Sequence, residues 1–203
     1  MKRFILICCA AVLALCGTGC SSGGSSGSSG AAESSQQNTK KKDGLNVVSS
    51  ESMDPAYTEL LTSYFEAINH RDYAAYEKAL YPPFRESYDK YLQSKGSSLE
   101  QSFREDLCKR FDEDGYDSWE LTELQIEYYP EERQDPDGFF KAYANAGILD
   151  EDFGERCKKE TTEINDILFT LYALYAGDEE DVAVVTNKEL YVVKTEDGVY
   201  MFG

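Results

Sequence analysis

The chain has 203 residues, enough for one domain with a real core, and its 38 Asp and Glu outnumber 20 Lys and Arg to give a net charge of −18. Residues 46–203 are more acidic still, with 36 carboxylates against 15 basic side chains, a net of −21. That balance excludes nucleic-acid binding, which needs Lys and Arg to replace the counterions of phosphate, and flat docking on an anionic membrane.

The chain opens on Met1–Cys20. Lys2 and Arg3 make a short basic start, Phe4–Leu15 is an apolar run, and Gly17-Thr18-Gly19 are small residues before Cys20. This is the layout of a secretory signal, and the run is short for a membrane-spanning helix. With Cys20 directly after the small residues, the stretch resembles a bacterial lipoprotein signal, although Gly17 stands where Leu is commonest. The resemblance implies that Cys20 receives the lipid and becomes the mature N-terminus, which anchors the chain on the extracytoplasmic face of the cell membrane. The other reading is an ordinary secretory signal cut near Gly19, with Cys20 left as a thiol.

Residues 21–45 are mostly Ser and Gly, then Gln, Asn and Lys, without apolar period. They read as a disordered tether spanning about 25 Å on average, and residues 46–203 as a single domain. Asp54–Asn69 is a helix with Asp54 as N-cap and Pro55 at the first turn. Tyr57, Leu60, Leu61, Tyr64, Phe65 and Ile68 give it one wide apolar face. Asn69-His70-Arg71-Asp72 breaks it, and Asp72 caps a second helix that stops at Pro82-Pro83. Phe84, Tyr88, Tyr91 and Leu92 repeat the period up to Gly96. Ser98 with Gln101 reads as a capping box, and Leu99, Phe103, Leu107 and Phe111 follow at steps of four with Cys108 beside them.

The period then changes. Trp119 and Leu121 share one parity, whereas Leu124, Ile126 and Tyr128 share the other. Both sets face one way only with an extra residue near Thr122-Glu123, so a β-bulge is predicted there. Pro130–Gly138 is a polar loop, Phe139, Phe140 and Tyr143 mark a short helix, and Phe153 and Cys157 mark another that ends near Lys159. Ile164–Ala176 is apolar almost throughout, which suits a strand covered on both sides or, by length alone, a helix; its Thr, Phe and Tyr content favours the strand. Gly177–Asp181 turns, Val182–Lys194 returns, Glu196-Asp197-Gly198 makes a hairpin turn, and Val199–Phe202 closes the sheet. The fold class is α+β, with N-terminal helices packed on an antiparallel sheet that the bulge bends.

An opening amphipathic helix, the Asn-His-Arg-Asp-Tyr break at residues 69–73 and a last hairpin over residues 190–200 make residues 54–203 resemble the nuclear-transport-factor-2-like fold (a cystatin-like α+β cone). The segment Phe139–Lys159 is longer than that fold needs. The resemblance implies a pocket at the open end of the cone, used in different members for catalysis, for a ligand or only as core.

Chemical candidates are few. His70 is the single His and sits at a helix break, where a solvated turn residue is the plain reading. One His and two distant Cys build no metal cluster, and Asp112, Asp114 and Asp117 miss the register of a calcium loop. Cys108 and Cys157, the two thiols of the domain, form either a disulfide worth about 4 kcal/mol or two buried small apolar side chains. Asp166 is the odd residue in an apolar run: buried, its pKa rises and it can serve as a base; at a strand end, it faces water. Trp119, Tyr128, Tyr172 and Tyr191 are pocket candidates beside it, or ordinary packing. The expectation is a membrane-anchored domain that binds a small apolar ligand or an envelope protein without catalysis, cofactor or metal. The alternative is a small cone-pocket enzyme using a carboxylate with a Tyr.

Overall fold

Helix α1 spans Pro55–Asn69 and begins as its chemistry requires: Asp54 accepts from the Ala56 amide at 2.9 Å, and Pro55 holds the first helical position. The computed structural model describes residues 38–41, 44–50, 52–127 and 136–203. All of them fall within the unit Gln36–Gly203. Tyr57, Leu61, Phe65 and Ile68 of α1 are buried as the periodicity predicts, but Leu60 and Tyr64 are half-buried. The inward stripe instead takes in Thr58 and Thr62, because the Thr62 hydroxyl is satisfied by the Thr58 carbonyl at 2.6 Å.

Asp72 caps α2 (Tyr73–Ala79) through the Ala75 amide at 3.1 Å. Leu80 and Tyr81 then run extended, and Pro82 opens α3 (Pro82–Ser94). Ser98 caps α4 (Leu99–Ser102), which continues as one π-helical turn over Phe103–Leu107, closed by the Cys108 amide on the Phe103 carbonyl at 2.9 Å. This corrects the predicted run of four-residue steps. A π turn holds one more residue, so Cys108 rather than Leu107 reaches the core beside Phe103 and Phe111.

Among the described residues six strands lie in sequence order: β1 (Asn38–Lys41), β2 (Asn46–Ser49), β3 (Trp119–Glu127), β4 (Glu163–Tyr175), β5 (Val182–Lys194) and β6 (Val199–Phe202). The architecture is α+β, as read from sequence. The sheet is mixed, however: β2 and β3 run parallel, whereas every other pair is antiparallel. The ladder shifts between Leu121 and Glu123, so the predicted bulge is present and Leu121, Leu124 and Ile126 are all buried. One expectation is corrected at the N-terminal side. The tether read as residues 21–45 enters the fold earlier, since β1 pairs along β2 and Leu45 is fully buried. A four-residue polar strand that closes an open sheet edge leaves no apolar period to be read.

The odd-numbered side chains of β4 meet α1, where Phe65 lies 5.2 Å from Phe169. The even-numbered ones share the opposite face with Tyr191 and Phe202, which are paired with Asp166 and with each other across the ladder. Helices α5 (Pro136–Asn145) and α6 (Phe153–Glu160), together with α3, close that opposite face around Phe202. Six rings, those of Tyr81, Phe84, Phe139, Phe140, Phe153 and Tyr191, lie 5.4–6.2 Å from it. These edge-on and offset contacts add to the area that the rings bury.

At Gly154, α6 packs tightly on α5: a Cβ there would stand 2.9 Å from Cδ2 and 3.2 Å from Cγ of the buried Phe140. Gly154→Ala is expected to destabilise the fold by about 1 kcal/mol, overpacking outweighing the roughly 1 kcal/mol gain in helix propensity. Urea denaturation of the variant checks this; a midpoint equal to or above the parent's refutes the close contact.

Candidate binding surface

The side chains singled out from sequence fall into three places. Trp119 is half-buried at the start of β3, edge-on to Phe111 at 5.2 Å, and its indole donates to Asp112 at 2.7 Å. Asp166 is buried directly across the ladder from Tyr191, whose ring stacks on Phe202 and whose hydroxyl donates to Glu189 at 3.2 Å. Tyr175, the rung partner of Trp119, is nine residues along β4 from Asp166, about 30 Å away. Tyr172 is half-buried between them, on a rung with Glu123. The four described candidates, Trp119, Asp166, Tyr172 and Tyr191, are therefore spread along the sheet. Tyr128 and Cys20 lie outside the described residues.

The side of the sheet under α1 is filled by the protein itself. Tyr57, Leu61 and Ile68 are at most 1% exposed, as are Leu121, Leu124 and Ile167 on the strands beneath them. Burying one such side chain contributes about 1.5–3 kcal/mol. At the N-terminal end of α1 the packing becomes polar. The Tyr57 hydroxyl donates to Glu163 at 2.5 Å and accepts from the Asn165 amide at 2.9 Å. Lys194 pairs with Asp54 at 3.4 Å and with Glu163 at 3.8 Å. The Ala56 amide, with Lys194 adding to it, holds the Asp54 carboxyl below its ordinary pKa of 3.8. This tie joins α1 to β4 and β5 across more than a hundred residues, a separation at which no local sequence signal exists.

His70 is exposed and pairs with Glu66 at 3.2 Å, one helical turn away, as a surface contact. Asp112, Asp114 and Asp117 are exposed in the loop before β3, and among the described residues no group of three His, Cys, Asp or Glu is placed to hold a metal ion. Between α5 and α6 runs an open groove of about 540 Å³, lined by charges of both signs including Asp137, Lys141, Asp150 and Lys158. Lys158 is already paired with Asp137. Cys108 and Cys157 are not joined: both are buried free thiols. Cys108 sits at the end of the π turn, whereas Cys157 packs within α6 near Tyr81 and Thr161. Burial raises both thiols, Cys157 to about 12.

The outer face of the sheet over β3 and β4 has a different character. Leu168, Thr170, Tyr172 and Leu174 form a half-buried ridge, while their neighbours Leu171, Ala173 and Tyr175 point to the core. Across the ladder, Glu120 stands opposite Leu174, Glu123 opposite Tyr172, and Glu189 opposite Leu168. Glu123 accepts from two side-chain amides, Asn46 at 2.8 Å and Gln125 at 2.7 Å. Sequence reasoning missed this face because β2 is too short to detect and because the rungs that assemble it join residues far apart in the chain. No family model matches the chain, no curated protein matches it, and no solved structure matches it.

Two outcomes follow from this geometry. Denaturing the protein in the presence of an alkylating agent, with no reductant, is expected to label both Cys108 and Cys157; recovery of a peptide pair that needs reduction overturns the free thiols. Asp54 has a depressed folded pKa, so its contribution is complete above 3.8 and is lost as pH falls through the lower folded value. Asp54→Asn, which keeps a capping side chain without the charge, is expected to lose less stability on acidification than the parent. Equal acid limbs in denaturation at a series of pH values contradict it.

Proposed function

We propose that the chain is a lipid-anchored extracytoplasmic domain that binds a protein and carries no catalysis of its own. The observation that carries the binding reading is the solid packing under α1, where fully buried Tyr57, Leu61, Leu121 and Leu124 occupy the space that a pocket enzyme gives to substrate. Support for the anchor is the order of basic start, apolar run, small residues and Cys20, followed by a Ser- and Gly-rich stretch before the folded unit. A single acyl chain holds a protein only reversibly, so firm anchoring requires more than one chain on Cys20. The strong negative charge supports a position away from anionic headgroups, at the end of the tether.

Membership of the nuclear-transport-factor-2-like fold is part of the same proposal. It is supported by the opening helix, the break capped by Asp72, the bulged strand and the closing hairpin; α5 and α6 are additions to that plan. One observation favours a second reading, acid–base catalysis: Asp166 is a buried carboxylate directly opposite Tyr191. Such an enzyme would act on the α5 side of the sheet, not under α1.

Cells expressing the parent chain and Cys20→Ala, fed a clickable fatty acid, decide the anchor. The parent is expected to carry the label and sediment with membranes, and Cys20→Ala to lose the label and appear in the soluble fraction. Label retained by Cys20→Ala, or an unlabelled soluble parent, refutes the lipid on this residue.

A further inference from the structure

On the reading of a protein-binding domain, we infer that the outer face of β3 and β4 docks a basic, amphipathic segment of its partner. Two features of the face select that occupant. The ridge of Leu168, Thr170, Tyr172 and Leu174 presents side chains about 6.6 Å apart along some 20 Å of one strand. Glu120 and Glu123 run along one flank of it, and Glu189 on β5 lies along the other. The rings that hold α3, α5 and α6 to the sheet end on Tyr191, Tyr200 and Phe202, on β5 and β6, and among the described residues none reaches β3.

The donors that fix these carboxylates are neutral. Asn46 and Gln125 amides orient Glu123, and the Tyr191 hydroxyl meets Glu189. The hydrogen bonds position the charge, and among the described residues no cation pairs with Glu123 or Glu189, so a Lys or Arg brought to the ridge finds an oriented carboxylate. Apolar residues alternating with those basic ones fit the ridge between the flanks. The same charges exclude other occupants. A second copy laid face to face sets carboxylate against carboxylate, and anionic lipid or nucleic acid is repelled.

The chain from Ser21 onward, which keeps every core residue described above, is titrated with a synthetic peptide of roughly twelve residues that alternates Leu and Lys, matched to the ridge length. An all-Lys peptide and a Leu/Glu alternation serve as controls. Calorimetry gives affinity, and amide chemical shifts give the place. The Leu/Lys peptide is expected to bind with an affinity that falls as salt rises, and to shift the amides of Trp119–Glu127 and Leu168–Leu174. Glu120→Lys with Glu123→Lys, and separately Tyr172→Ser, are each expected to weaken it about tenfold, with circular dichroism confirming the fold. Equal affinity for the all-Lys or Leu/Glu peptide, unchanged affinity in both variants, or shifts confined to the acidic loops at residues 112–117 and 178–181 overturn the assignment of this face. Shifts in those loops still leave a protein-binding domain, whereas a chain that binds none of the basic peptides overturns the basic partner while the Cys20 labelling result stands apart. A dimer in sedimentation that Tyr172→Ser dissolves also overturns it, because the face is then occupied by a second copy.

Discussion

One extra residue in β3 governs most of what this domain presents. A strand alternates its side chains strictly, so Leu121 and Leu124 can both reach the core only if the ladder slips between them. Thr122 is that slip, and its hydroxyl is held by Asp181 at 2.6 Å. On the other side of the sheet the same slip brings Glu120 and Glu123 onto one face, where they flank Tyr172 and Leu174. Core continuity and surface chemistry therefore rest on one irregularity. A bulge also increases local twist, which suits a sheet that packs against α1 on its inner side.

The inner and outer faces are closed by different means. Under α1, aliphatic residues from β3 and β4 meet one helix stripe, and the seam ends in the polar tie of Tyr57, Glu163 and Asn165. On the outer face, α3, α5 and α6 gather their rings around Phe202. Tyr81 belongs to both the ring cluster and the sheet edge, since its amide donates to the Met201 carbonyl at 2.9 Å and Leu80 bridges to Met201. Among the described residues the cluster covers β5 and β6 and its rings stop short of β3, so one half of the outer face is aromatic interior and the other a half-buried ridge with carboxylates.

Charge and attachment act together in the proposed role. In that proposal a lipid on Cys20 would hold the chain to a surface, and the net of −21 over residues 46–203 would keep the domain off anionic headgroups and draw it to a basic polypeptide. Charge steers that encounter, while apolar contact at a defined ridge gives it register.

Local chemistry was legible in the sequence. Asp54 with Pro55, Asp72, Ser98 with Gln101 and the Glu196-Asp197-Gly198 turn each act through atoms a few residues apart, so the caps and the last hairpin follow from spacing alone. The bulge was legible too, because a change of parity between Leu121 and Leu124 has one geometric remedy. Tertiary structure alone decided the rest. The polar strand β1 is held by an open edge rather than by its own pattern, and β2 runs parallel to a strand more than seventy residues away. The π turn moved Cys108 inward, and Cys108 and Cys157 remained apart because each is buried in its own helical neighbourhood. The ridge with its carboxylates is built from three strands whose rungs join distant residues. Propensity and periodicity act over one or two turns of chain, whereas a surface of this kind exists only once the ladder is in register.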